Sequence, residues 1–210
     1  MKIASLKPTQ WFPGQNVSVK PHLRGWIHLV AAPLSLAASI VLTCLAPTGA
    51  TKGGSAIYLA ASLILFGISA LYHRFYWSPR WEVVWNRLDH SNIFLLIAGT
   101  YTPLSIAILP HDQAVTILSI VWGGALLGIL LNLFWPTAPR WLATLIYVAL
   151  GWVALWYLPQ FWSLGGAVIV WLLLAGGILY TIGAVVYATK KPDLSPRWFG
   201  FHEIFHLCTV

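Results

Sequence analysis

His73, His202 and His206 lie far apart in the chain, yet each falls where an apolar stretch meets a polar connection. Residues four apart on a helix share a face, so His202 and His206 can present two imidazoles together, as Ser69 and His73 can present a hydroxyl and an imidazole. Two ligands from one helix and one from another form a three-histidine set. Neutral imidazoles suit zinc, and three protein ligands leave the fourth tetrahedral position open to water, the catalytic rather than the structural pattern. Asp89 opens the next apolar stretch and Glu203 stands between the paired histidines, so most of the chain's rare reactive groups crowd one region. Each has a plainer role when taken alone. His73 beside Arg74 could cap a helix end, Asp89 beside Arg87 could form an interfacial ion pair, and two histidines four apart are a weak motif. Convergence favours a metal site, because burying imidazoles and a carboxylate near a bilayer costs several kcal/mol unless they share a partner.

These groups are positioned by elements that composition identifies. Of 210 residues, 59% are hydrophobic and only 8% charged, with a mean hydropathy of +0.76. That is more apolar surface than a soluble core can hide, so an all-α polytopic membrane protein is expected. Long apolar runs occupy residues 27–46, 56–72, 93–109, 114–134, 141–158 and 164–186, and a seventh begins at Phe199 and stops at Val210. The seventh reaches only ~18 Å, short of a hydrocarbon core of ~30 Å, so a truncated last helix is expected. Continuous runs rich in Leu, Ala and Ile exclude a β-barrel, whose strands alternate. Residues 1–25 read as a polar cytoplasmic arm with Pro8, Pro13 and Pro21, and residues 26–210 as a seven-transmembrane bundle.

Orientation follows from the twelve Lys and Arg. Lys2, Lys7, Lys20 and Arg24 precede the first run; Arg74, Arg80 and Arg87 lie between the second and third; Arg140 follows the fourth; Lys190, Lys191 and Arg197 follow the sixth. Only Lys52 falls on the other side. This asymmetry places the N-terminus in the cytoplasm and His73, Asp89, His202 and His206 at one cytoplasmic depth. The net charge of +7 is then topogenic, with no basic stripe for nucleic acid. Tryptophans near the boundaries, Trp26, Trp77, Trp81, Trp85, Trp135, Trp141, Trp162 and Trp198, read as interfacial anchors. Cys44 and Cys208 read as core residues, and Asn16-Val17-Ser18 as an inert glycosylation match on a cytoplasmic arm. Pro103 is expected to kink the third helix, with Thr100 and Thr102 satisfying freed carbonyls. Gly123, Gly124, Gly128, Gly176, Gly177 and Gly183 are expected to permit close helix packing.

Three ordered motifs carry a family resemblance: Ser69-Ala-Leu-Tyr-His73-Arg74-Phe75; Arg87-Leu-Asp89-His90-Ser91 running into Gly99-Thr-Tyr-Thr-Pro103; and Gly200-Phe-His202-Glu203-Ile-Phe-His206. Together they resemble the haemolysin III family, which is similar to the progestin and adipoQ receptors and, more distantly, to alkaline ceramidases. The resemblance implies zinc bound by His73, His202 and His206, with Asp89 and Ser69 completing the site. It also implies seven helices, a cytoplasmic N-terminus and a bacterial inner membrane. Many members carry acidic and amide residues shortly before a histidine in the first span; here His28 follows Arg24 instead.

Two functions are left open. One is zinc-dependent hydrolysis of a lipid amide or ester, with Asp89 handling the proton of water and Ser69 donating to the developing oxyanion. The other is a non-enzymatic membrane sensor in which zinc staples helices. His202-Glu203-Ile-Phe-His206 also matches a zinc protease signature with Glu203 as base, a reading ranked low because no third ligand follows downstream. A pore-forming haemolysin is suggested only by the family's name, and no amphipathic lytic helix is visible.

Overall fold

A computed structural model describes residues 20–135, 138–195 and 197–210. Lys2, Lys7, the first two prolines and the glycosylation match therefore lie outside the described residues. Within them the chain is helical: α1 Trp26–Leu45, α2 Gly49–Arg74, α3 Pro79–Ile108, α4 His111–Phe134, α5 Arg140–Gly151, α6 Ala167–Thr189 and α7 Phe201–Thr209. No strand is formed among the described residues beyond one isolated bridge between Ser195 and Phe199. Six stretches are long and apolar enough to cross a membrane, the fifth running from Trp141 to Gly165. Helix α7, at nine residues, rises about 14 Å.

Local chemistry sets the helix ends. At the start of α2, Thr48 Oγ1 accepts the Thr51 amide at 3.2 Å while Thr51 Oγ1 accepts the Thr48 amide at 3.0 Å, a reciprocal cap. Helix α3 starts fourteen residues before the apolar run that marks it in the sequence. Pro79 at the first position lacks only an amide hydrogen that would be unpaired anyway, and Glu82 in the first turn suits the helix dipole. Hydropathy could not show this extension, because a helix rising above the apolar layer carries polar residues. Asp89 therefore lies well inside α3 rather than at the helix start.

The fifth span is not one continuous helix. After Gly151 it tightens into 3-10 turns over Trp152–Tyr157, passes through Leu158–Gln160 and widens into a single π turn over Phe161–Gly165. The buried Tyr101 hydroxyl holds the break open, donating toward Gly151 O at 2.7 Å and accepting the Ala154 amide at 2.9 Å. Helix α3, by contrast, runs through Pro103. Thr100 and Thr102 bond the carbonyls of Ile97 and Ala98 at 2.8 Å each, not the Gly99 carbonyl that proline leaves without its usual amide.

The main core lies among α3, α4 and α5, around Phe94, Ile97, Ile117, Val121, Tyr147 and Phe161. In α1 and α6 only 17% of the apolar window is buried, against 44% in α2 and α3, so the former two present most of their surface outward. Cys44 is accordingly exposed on α1 and is not a core residue. Glycine lets helices approach at selected points only. A Cβ on Gly128 would come within 2.3 Å of the Phe94 ring, whereas Gly123 and Gly176 face open space. Gly128→Ala is expected to destabilise the bundle by about 1–3 kcal/mol through overpacking, while Gly123→Ala, whose Cβ meets no neighbour, should leave the melting temperature in detergent unchanged or slightly raised through helix propensity.

Candidate metal centre

Helix alternation and contacts bring the N-terminal approach to α1, the ends of α2 and α4, and the starts of α3 and α7 to one end of the bundle. Arg87 of α3 donates to Leu133 O near the end of α4 at 3.3 Å, and His22 and Leu23 donate backbone amides to Arg197 O and Trp198 O at 3.0 and 3.2 Å. Arg87 thus reaches toward α4, and the ion-pair partners of Asp89 among the described residues are His73 and His90 rather than Arg87.

At this end His73, His202 and His206 each offer a ring nitrogen, and those nitrogens all lie within 4.8 Å of one another. All three residues are buried. His202 Nε2 is 3.2 Å from His73 Nε2. Two nitrogens bound to one tetrahedral zinc at ~2.0–2.1 Å should stand about 3.3 Å apart, so the observed edge has the length a zinc site needs. A hydrogen bond between the two rings accounts for that distance alone, but not for the other groups at the same point. Asp89 Oδ2 is 3.4 Å from His73 Nε2. Ser69, one turn before His73, is buried beside the Asp89 carboxylate, and its hydroxyl forms no well-made hydrogen bond. The donor set therefore fits zinc: three imidazoles, an adjacent carboxylate and a hydroxyl beside that carboxylate.

Glu203, the protease-type base suggested by spacing, is committed elsewhere. It is 1% exposed; Oε2 accepts the Gly200 amide at 2.8 Å, capping α7, and Oε1 pairs with Arg24. Both carboxylate oxygens are used structurally.

Several contributors were not singled out for this site from the sequence. His28 stacks on His206 with ring centroids 3.9 Å apart and planes 8° from parallel. Arg24 and His28 share the four-residue spacing of His202 and His206, the one signal that could have flagged them. His90 Nδ1 lies 2.8 Å from Asn86 O, which can only accept, so Nδ1 carries the proton. In the neutral ring Nε2 then accepts from the Tyr187 hydroxyl at 2.7 Å, tying α3 to α6 beside His202. Lys20, before α1, donates to two carbonyls at the end of α2, Tyr72 O at 2.9 Å and, one residue past the helix, Phe75 O at 2.8 Å. Burial lowers the pKa of its ammonium, with Glu82 opposing.

A cavity of about 840 Å³ leads away from the centre. His28, Ser69, Asp89 and His206 line its head, and Ile97, Leu104, Leu155, Leu173 and other apolar side chains line its body. From Asp89 to Leu104 along α3 it extends about 22 Å.

A family model described as Haemolysin-III related matches residues 17–210. The chain belongs to the haemolysin III family. It is 35% identical over 188 residues to the Hemolysin-3 of Bacillus cereus, covering 86% of this chain and 80% of that protein. To the Hemolysin-3 homolog of Bacillus subtilis (strain 168) it is 36% identical over 147 residues, 69% of this chain and 68% of the relative. No solved structure matches. Haemolysin III membership together with the apolar helices makes this an integral membrane protein.

Proposed function

We propose that this haemolysin III protein holds zinc on His73, His202 and His206 and hydrolyses an acyl amide or ester of a membrane lipid. The supporting observation is one arrangement: three ring nitrogens within 4.8 Å, Asp89 against one of them, and an apolar cavity opening from the same point. In this reading seven helices surround the site, with the N-terminus in the cytoplasm and the histidine end at the inner face of a bacterial plasma membrane.

Zinc in such a site supplies Lewis acidity, which brings the ionisation of water toward ~7. The remaining chemistry falls to the chain's own groups. Asp89 offers a carboxylate beside the histidines to take the proton of the attacking water. Ser69 offers a buried hydroxyl to the carbonyl oxygen as negative charge develops there. The cavity, within the ~300–1,000 Å³ usual for ligand sites, takes the acyl chain and keeps bulk water from it. Water adds across the acyl bond, giving a fatty acid and an amine or alcohol.

The test is release of fatty acid from a panel of N-acyl and O-acyl lipids by purified, zinc-loaded protein in mixed micelles. Turnover of at least one class is expected. Zinc bound at full occupancy with no turnover across the panel would leave the second reading, a sensor in which the metal staples α2 to α7. That reading has support in the way the three ligands divide between those two helices.

A further inference from the structure

Residues 20–25 cross the histidine end and are fastened on both sides. Toward α2, Lys20 caps two carbonyls at the helix end, and Arg74 donates to His22 O at 3.5 Å and stacks over Trp26 at 4.7 Å. Toward the α6–α7 connection, the amides of His22 and Leu23 pair with Arg197 O and Trp198 O. The His22 ring stacks on Trp198 at 4.5 Å, and its Nδ1 donates to Arg197 O at 2.8 Å. Arg24 reaches inward to Glu203, between the two α7 histidines. Gly25, at φ +80°, lies directly on His73; a Cβ there would come within 2.8 Å of His73 Cβ. Only glycine satisfies both that backbone conformation and that contact.

We propose that residues 20–25 form a strap closing the metal centre at the histidine end, with the Arg24–Glu203 pair as its catch, and that releasing the strap is how a divalent cation enters and leaves. This rests on the metal reading of His73, His202 and His206. The cavity on the other side is lined mainly by apolar side chains, which a hydrated divalent ion crosses only at high cost. The polar way in lies under the strap. The catch is accessible from its arginine side, the Arg24 side chain being 19% exposed against 1% for Glu203. When it opens, Glu203 keeps the Gly200 amide as a partner, so α7 retains its cap.

The experiment is transfer of zinc from loaded protein to excess chelator, followed by a zinc indicator. Arg24→Ala with Glu203→Gln, which removes both charges but leaves an amide oxygen to cap α7, should release zinc about tenfold faster than wild type. Leu23→Cys with Trp198→Cys, in a Cys44→Ala, Cys208→Ala background, should form a disulfide, since their backbones are hydrogen-bonded neighbours. The oxidised form should release zinc about tenfold more slowly than the same protein after reduction, an internal control against misfolding. Equal rates in locked and unlocked forms would overturn the strap. A second readout needs no metal: alkylation of Ser69→Cys by a charged maleimide should be faster with the catch removed. If wild type binds no zinc the metal reading fails, and the labelling comparison still decides whether the strap closes the centre; equal labelling refutes it.

Discussion

Alanine at both His202 and His206 is expected to reduce bound zinc from about one ion per chain to background, measured by mass spectrometry of metal in detergent-purified protein. The effect is large because the change removes two of three nitrogen donors. Even an outer partner of a metal ligand typically contributes 10–100-fold in affinity, and a direct ligand contributes more. The same protein should remain folded, since α7 is anchored through Glu203 to Gly200 and Arg24 and through Asp193 Oδ1, which accepts the Phe201 amide at 3.1 Å. Glu203→Gln separates this arrangement from a zinc protease. With both oxygens of Glu203 committed to structure, the glutamine variant should keep its metal at saturating zinc and keep its turnover. Equal and negligible metal in wild type and the double variant, after zinc was supplied, would remove the premise of either function.

The histidine cluster was legible because it follows from periodicity and topology. His202 and His206 share a helical face whatever the tertiary structure, and alternating spans must return His73 to the same end. What was not legible depended on contacts between residues of no obvious pairing. Arg24 reads as one more topogenic cation until Glu203 is found buried beneath it. His28 reads as a stray imidazole inside an apolar run until its ring lies flat on His206. The span boundaries failed for a different reason. Hydropathy reports where a helix is surrounded by lipid or core, not where it is hydrogen-bonded, so the polar first turns of α3 looked like loop. The break in the fifth span was hidden because its cause, the Tyr101 hydroxyl, belongs to another helix. The Cys44 expectation failed because an apolar residue in a membrane helix faces lipid as readily as core.

Asp89→Asn is the change that separates an enzyme from a staple. Asparagine preserves shape and one acceptor oxygen but cannot take a proton, so under the hydrolytic reading kcat should fall by about 10²–10⁴. Zinc content should hold, because three imidazoles remain to bind it. Fatty-acid release and metal stoichiometry, measured on the same preparation, give the two outcomes distinct signatures. Loss of the metal itself would mean that Asp89 serves as a fourth ligand, closing the tetrahedron as structural zinc sites do and leaving no position for water. The 3.4 Å approach of its Oδ2 to His73 Nε2 is close enough to a tetrahedral edge that this alternative is chemically sound. Ser69 weighs against it. Its hydroxyl lies beside the Asp89 carboxylate without a well-made hydrogen bond, and a carbonyl developing negative charge at the head of the cavity would give it a second acceptor.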